Sequence, residues 1–338
     1  MIFLSPSQTC TQELDRIARK YGASYKVLDW EAGDLEELNL RNIRVEEKGP
    51  PAEDPPDILW DLVPDADILI VHFCPVSKKL IDSSKNLEVI ATMRTGLSNI
   101  DTVAAEERGI PVINLPGRLA DSVSEYTIGL MIAETRNIAR AHEDIRKGRW
   151  TKYFGNFSFC FELAGKTIGL VGFGEIGKKV ALKLMNFSVE IIVYDPYVSE
   201  EAIRGLGAQK VELDRLMSES DIISIHTNLS GSSKRMIGKA QISLMKPTAY
   251  LINTARAAVI DKDALYTALR SNSIAGAALD VFWQEPVDMA DPILQLENVT
   301  VTSHLAGTTK DALLKSIYKL TGRLEPFYER LSSGLKGD

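Results

Sequence analysis

The sequence predicts a doubly wound α/β fold, built twice over, and three observations carry that expectation. Short apolar runs rich in β-forming residues alternate with helical patterns along most of the chain. One of these runs enters a glycine-rich turn, Gly172-Phe-Gly174-Glu-Ile-Gly177, that opens a helix. The chain has 338 residues, enough for roughly two domains with a core each.

Taken in order, the first series of candidate strands covers residues 1–4, 25–28, 66–71, 87–91 and 111–114. A second series covers 167–172, 189–194, 222–225, 249–253, 276–280 and 299–302. Parallel strands buried on both faces read as continuous apolar runs, and the helices between them complete βαβ units. Residues 31–57 are rich in Asp, Glu and Pro and read mainly as exposed loop. Residues 119–149 carry helical periodicity, with Gly148 as the stop signal. A last helical stretch covers 310–331, with Thr308 or Thr309 as its N-cap.

Bulk composition narrows the function. Acidic residues outnumber basic ones, 46 to 39, for a net charge of −7, which argues against a nucleic-acid face. The three cysteines, Cys10, Cys74 and Cys160, are far apart and show neither a disulfide framework nor a zinc spacing. Reduced thiols in the cytoplasm and no bound metal are expected. The opening MIFLSPSQTC has no basic region before its apolar residues and reads as a buried strand, not a signal peptide. No run approaches the roughly 18 apolar residues of a membrane span.

The glycine turn is the most specific local signal. Lys166-Thr-Ile-Gly-Leu-Val runs into Gly172-x-Gly174-x-x-Gly177 and then a helix. The three glycines serve a tight turn, close approach to a pyrophosphate, and helix-to-strand packing. The helix N-terminus offers free N–H groups and partial positive charge to phosphates. The next strand, Ile191-Ile-Val-Tyr194, ends at Asp195, placed to accept both hydroxyls of a ribose. A 2′-phosphate would meet that carboxylate, and Pro196-Tyr197-Val198-Ser199 supplies no arginine, so NAD is expected over NADP.

Three further strands run into polar residues at their carboxyl ends, where ligands bind in open α/β sheets. These residues are Arg256 after 249–253, Glu285 after 276–280 and His304 after 299–302. Hydride transfer to a 2-keto acid needs these types. Arginine holds the carboxylate and polarises the carbonyl with its fork of donors. Histidine, with a reference pKa near 6.5, gives a proton to the forming alkoxide. A carboxylate beside it favours the protonated ring. Singly, each has a structural explanation: a surface ion pair, a loop acid before Pro286, a structural histidine. Their joint occurrence downstream of the glycine turn favours chemistry.

In LVGFGEIG, YDP at 194–196, HTNL at 226–229, INTARAAVID, AALDVFWQEP and SHLAGTT, the chain resembles the D-isomer-specific 2-hydroxyacid dehydrogenases, in the branch similar to phosphoglycerate dehydrogenase. With weaker matches between them these segments cover most of 87–313. The resemblance implies two Rossmann- or flavodoxin-like domains with the active site in the cleft. Residues 1–102 and 300–338 are then the substrate-binding domain, and 103–299 the NAD-binding domain. It implies Arg256, Glu285 and His304 as the catalytic set and Asp280 as the contact to the nicotinamide carboxamide. It assigns Glu175 and Ile176 to the loop over the pyrophosphate, Thr227 to the adenosine side, and Thr254 and Ala255 to the cofactor site. It also implies at least a homodimer, or a tetramer, in which 119–149 and the aromatic stretch 150–161 embrace a partner subunit.

Departures from the family pattern bear on the substrate. Ala257 stands where Gly usually follows the arginine, Asn228 where HxPL has Pro, and Ser303 where Pro usually precedes the histidine. None removes a chemical group. In the substrate loop, Met93-Arg94-Thr95-Gly96-Leu97, Arg94 replaces the first glycine of a usual G-x-G. Arg118 lies in a loop that the family fold brings toward the cleft, and His72-Phe73-Cys74-Pro75 replaces a more polar run. Arg94, Thr95, Gly96 and Arg118 are the candidate substrate contacts. The expected substrate is a small 2-hydroxy or 2-keto acid, polar, hydroxylated or phosphorylated. The alternative is an NAD-sensing, co-repressor-like binding protein on the same fold. A formate dehydrogenase is disfavoured, because that branch pairs its histidine with glutamine.

Overall fold

The structure is a computed structural model that describes residues 2–4 and 8–334. The chain divides into two compact units, Met1–Arg118 with Thr309–Asp338, and Leu119–Thr308.

The first unit begins β1 (Ile2–Leu4), α1 (Gln8–Tyr21), β2 (Lys26–Leu28), α2 (Leu35–Lys48), α3 (Asp57–Leu62) and β3 (Ile68–Val71). It continues α4 (Lys78–Ser83), β4 (Val89–Thr92), α5 (Thr102–Glu107) and β5 (Val112–Ile113). The strands are all parallel, in the order β2-β1-β3-β4-β5. Adjacent residues of β3 face opposite ways. Leu69 and Val71 join a core with Leu59, Leu80 and Ile81, while Ile68 and Ile70 pack with Leu14 and Ile17 of α1. This two-sided burial explains the unbroken apolar runs.

The second unit comprises α6 (Ala120–Thr135), α7 (Ile138–Arg146), β6 (Thr167–Val171), α8 (Glu175–Leu184), β7 (Glu190–Tyr194), α9 (Glu200–Arg204) and β8 (Gln209–Lys210). Then follow α10 (Leu213–Glu219), β9 (Ile222–Ile225), α11 (Lys239–Leu244), β10 (Tyr250–Asn253), α12 (Lys262–Arg270), β11 (Gly276–Leu279) and β12 (Val299–Val301). Its seven parallel strands run β12-β11-β10-β9-β6-β7-β8, reversing direction of growth between β6 and β9. That reversal is the switch point at which dinucleotides bind in doubly wound sheets. The chain then returns to the first unit with α13 (Lys310–Arg323) and α14 (Glu325–Ser332), whose Ile317, Leu320, Leu324 and Tyr328 close the core around α1.

Several elements differ from the sequence reading. Residues 31–57 hold α2, which begins at Asp34, whose side chain accepts from the Glu37 N–H. The density of charge hid its helical face, of which Val45 is fully buried. Helix 119–149 is two helices, because Asn137 takes a left-handed φ of 56° between α6 and α7. The stretch 310–331 breaks at Leu324, one residue before α14 and its early Pro326. The short edge strand β8 was not anticipated, and Met1 of the first strand lies outside the described residues. The compact units divide at 118/119 and 308/309, whereas the sequence reading placed the boundaries at 102/103 and 299/300. The pairing of β5 with β4 and of β12 with β11 is the reason. Among the described residues no helix is long and apolar enough to cross a membrane.

Candidate functional site

The glycine turn lies at the carboxyl end of β6, beside the switch point. Gly172 has φ 100°, and a Cβ there would stand 2.8 Å from the backbone of His226 and Thr227. A Cβ on Gly177 would stand 2.4 Å from the Gly172 oxygen. These two glycines answer to the protein's own packing. Gly174 does not: its φ is −72° and a Cβ would meet nothing within 4 Å. It is also the N-cap of α8 and provides no side-chain cap, so the first-turn N–H groups face an open cradle. Glu175 is exposed with a long contact to Lys178, and Ile176 packs against the core below. That arrangement fits the pyrophosphate of a dinucleotide.

Asp195, 8% exposed, follows β7. One carboxylate oxygen accepts from the Phe173 N–H (2.7 Å), the other from the Tyr197 and Val198 N–H groups (2.8 and 3.0 Å). The acid therefore also pins the glycine turn to the end of β7. Thr227 lies half-buried after β9. His226 beside it, unassigned from sequence, bonds Ser224 Oγ through Nε2 (2.9 Å), has a buried Nδ1 without a partner among the described residues, and is held neutral by burial, its pKa lowered to about 3.

The strands β10, β11 and β12 are neighbours, and Arg256, Glu285 and His304 follow them in turn. Buried Asn253 shapes the first loop: its Nδ2 donates to the Arg256 carbonyl (3.1 Å) and its Oδ1 accepts from the Ala255 N–H (3.0 Å). Ala257 has no positive φ, so its methyl costs no backbone strain. Thr254 is buried, its hydroxyl 2.8 Å from that of Thr127 on α6. Ala255 is half-buried beside it.

His304 Nδ1 lies 2.7 Å from Glu285 Oε2, and Glu285 Oε1 accepts from the Phe282 N–H at 2.9 Å. The Glu285 hydrogen bond raises the His304 pKa above the usual histidine value, against the opposing effect of burial and of Arg256. For Glu285, burial works upward, but the bonds from His304 and Phe282 and the field of Arg256 hold it below its usual range. The two side chains remain about half and a third exposed, so water screens part of this coupling.

The support of His304 was not legible in sequence. His304 has a left-handed φ of 56°, a conformation that non-glycine residues adopt at a cost. Asp280, fully buried, holds the loop in place: it accepts from Thr302 Oγ1 (2.6 Å), the Leu305 N–H (2.8 Å) and the Ala306 N–H (2.9 Å).

The candidate substrate contacts lie in the first unit. Arg94, two residues past β4, gives Nη1 to Asn42 Oδ1 (2.8 Å) and pairs through Nη2 with Glu46, both on α2. Thr95 and Gly96 are exposed. The Thr95 hydroxyl and the Leu115 N–H staple the Arg94–Thr95 loop to the chain just before Arg118. Among the described residues the Arg118 side chain has no hydrogen-bond or ion-pair partner. Burial, and then Arg94, lowers its pKa to about 10. No cluster of three or more His, Cys, Asp and Glu suited to a metal ion occurs among the described residues.

Comparison with known proteins gives the family. Residues 128–306 match the family model described as D-isomer specific 2-hydroxyacid dehydrogenase, NAD binding domain. A hydroxypyruvate reductase of Thermotoga maritima is 40% identical over 79% of this chain and 88% of its own length. A D-3-phosphoglycerate dehydrogenase of Methanocaldococcus jannaschii is 39% identical over 75% of this chain; the match covers 48% of that relative, so the chain spans about half its length. The D-lactate dehydrogenase of Lactobacillus jensenii, solved with NAD+, aligns with a TM-score of 0.73 and 26% identity over 99% of this chain and 98% of that one. Matched by the family model over more than half its length, the chain belongs to the D-isomer-specific 2-hydroxyacid dehydrogenases and is an NAD-dependent oxidoreductase of that family.

Proposed function

We propose that the protein interconverts a small polar 2-keto acid and its D-2-hydroxy acid, with Arg256, Glu285 and His304 as the catalytic set. The observation that carries this reading is the 2.7 Å His304–Glu285 pair beside Arg256 on three adjacent strand ends. Bound NADH supplies the hydride. Arg256 holds the substrate carboxylate and polarises the carbonyl. His304, its Nδ1–H given to Glu285, carries the transferable proton on Nε2 and delivers it to the forming alkoxide. Asp280 keeps His304 aimed by fixing its loop. The relatives are named for hydroxypyruvate, glyoxylate and 3-phosphoglycerate, which favours a short, oxygen-rich acid. These relatives are enzymes, which disfavours the co-repressor reading. The test is NADH oxidation across a panel of 2-keto acids; no turnover with any of them refutes the reading.

Asp195 is proposed to accept the ribose diol, with Gly172, Gly174, Glu175, Ile176, Gly177, Thr227, Thr254, Ala255 and Asp280 around the rest of the dinucleotide. Like charges in contact cost several kcal/mol, so NADH should exceed NADPH in kcat/KM by about 10² or more. Equal use of the two cofactors would remove this role from Asp195.

The chain is further proposed to work in the cytoplasm as at least a homodimer. Helix α7 has no fully buried residue, and Ile138 and Ile145 on it are exposed. In the stretch that follows, Trp150 (87% exposed), Tyr153 and Phe157 are exposed as well. So much aromatic area is what an interface core uses. Light scattering at micromolar concentration should give at least twice the chain mass, and Trp150→Glu with Phe157→Glu should lower it. A monomeric wild type rules the dimer out.

A further inference from the structure

The connection from β11 to β12 covers residues 280–298 and carries Glu285. It is far longer than the roughly 2–6 residues common between neighbouring elements. A long loop is mobile unless it is tied, and a catalytic carboxylate on it must be held still. Among the described residues, the hydrogen bonds that leave the segment 281–290 come from Glu285 and Trp283. The Glu285 bond is the contact to His304. The Trp283 bond goes elsewhere: its indole Nε1–H donates to the Ile260 carbonyl at 3.0 Å. The indole also packs on the core that includes Val259, Ile260 and Ile293. Lys262 Nζ stands 5.9 Å over its ring and pairs with Asp291 at 2.7 Å.

Ile260 is a firm anchor. It is fully buried and closes the short turn that begins at Arg256. Its N–H donates to the Ala257 carbonyl (2.9 Å), and the next N–H, of Asp261, donates to the Ile237 carbonyl (3.0 Å). The indole therefore joins the Glu285 loop to the Arg256 loop. It also bears on orientation. Phe282, whose N–H donates to Glu285 Oε1, sits between buried Val281 and the anchored Trp283. On the far side of the His304–Glu285 bond, Asp280 grips the backbone after His304. Each partner of the pair thus has its own fastening.

We propose that Trp283 is a positioning residue for the proton-transfer pair: through its bond to Ile260 it holds the Glu285 carboxylate against His304. As a statement about catalysis this rests on the reading of His304 as the proton donor; as a statement about the geometry of the pair it does not. The charged groups that act on His304 are Glu285 from this loop, Arg256 from the loop after β10 and Asp280 from the end of β11. Glu285 and Asp280 favour the protonated ring, and Arg256 opposes it. A loosened Glu285 weakens the largest of these influences, so the His304 pKa falls. An indole that only filled space could be exchanged for another apolar side chain without moving the pair.

The chain has four histidines, His72, His142, His226 and His304, so single rings can be followed by NMR titration of the whole protein. The His304 resonance is identified by its loss in His304→Ala. Trp283→Phe keeps a ring in place and removes the N–H. Trp283→Met, a flexible filler, removes it with a different shape and stands in should the first variant misfold. In either variant His304 should titrate lower than in wild type, moving toward its behaviour in Glu285→Gln. Added to Glu285→Gln, the Trp283 change should move it no further, since the carboxylate through which it acts is gone. With a reducible 2-keto acid, the falling limb of the pH profile should shift the same way. There kcat should drop by roughly tenfold, given that misplacement of about 1 Å costs up to about 10²-fold. A His304 titration unmoved by the Trp283 variants overturns the proposal. An equal downward shift with and without the Glu285 carboxylate also overturns it, because Trp283 would then act on the ring by another route. If no 2-keto acid is reduced, the functional reading falls, and the titration alone decides whether Trp283 positions the pair.

Discussion

His304→Ala should lower the turnover of keto-acid reduction by roughly 10²–10⁴-fold, the usual effect of losing a positioned proton donor. The 2.7 Å bond to Glu285 makes the pH dependence equally diagnostic. Reduction requires the protonated ring, so the rate is full at low pH and falls as pH rises through the His304 pKa, which Glu285 raises. Glu285→Gln removes that carboxylate, lowers the pKa, and should move the falling limb to lower pH. In the oxidative direction the neutral ring is needed, so the rising limb should move down by the same cause. Steady-state pH profiles in both directions test this. Near-normal turnover in His304→Ala, or an unshifted limb in Glu285→Gln, would be incompatible with the proton path proposed here.

Glu134→Ala should destabilise the second unit by roughly 3–5 kcal/mol, the loss expected when one member of a buried ion pair is removed. Glu134 on α6 is fully buried; burial pushes its pKa up, against the pull of Arg140. Its Oε1 accepts from Arg140 Nη2 at 2.7 Å and its Oε2 from Thr300 Oγ1 at 2.5 Å, tying α6 and α7 to β12. The space is tight: a Cβ on Gly276 would stand 2.4 Å from Glu134 Oε1. Truncation would strand the Arg140 guanidinium, whose side chain is 13% exposed. For a unit of this size the melting midpoint should drop by roughly 6–20 °C. Replacing both partners, as in Glu134→Leu with Arg140→Met, should restore much of it, because the stranded charge is gone. A calorimetric midpoint within about 2 °C of wild type for Glu134→Ala would refute a structural role for the pair.

Sequence alone determined every strand but β8, the glycine turn and the order of Arg256, Glu285 and His304. Strands such as 222–225 and 249–253 are buried on both faces, so adjacent residues must both be apolar, and that local pattern survives without tertiary knowledge. Gly177 is required by backbone approach within one βαβ unit and Gly172 by its own φ of 100°, which makes the turn a local signature too, although Gly172 also makes room for the chain after β9. Tertiary structure decided whatever depends on partners distant in sequence. Helix α2 was obscured because its charged residues read as solvent-exposed loop, yet Arg41 pairs with Glu53 and lies over Trp30. Arg94 and Arg118 look alike as arginines in neighbouring loops. Only the fold gives one of them Glu46, 48 residues away, and leaves the other without an acid among the described residues. Asp280 read as a cofactor contact, and the fold adds its grip on the loop that carries His304. A residue's chemistry is written in its type, but whether its charge is spent or available depends on which side chains the fold brings within a hydrogen bond's reach.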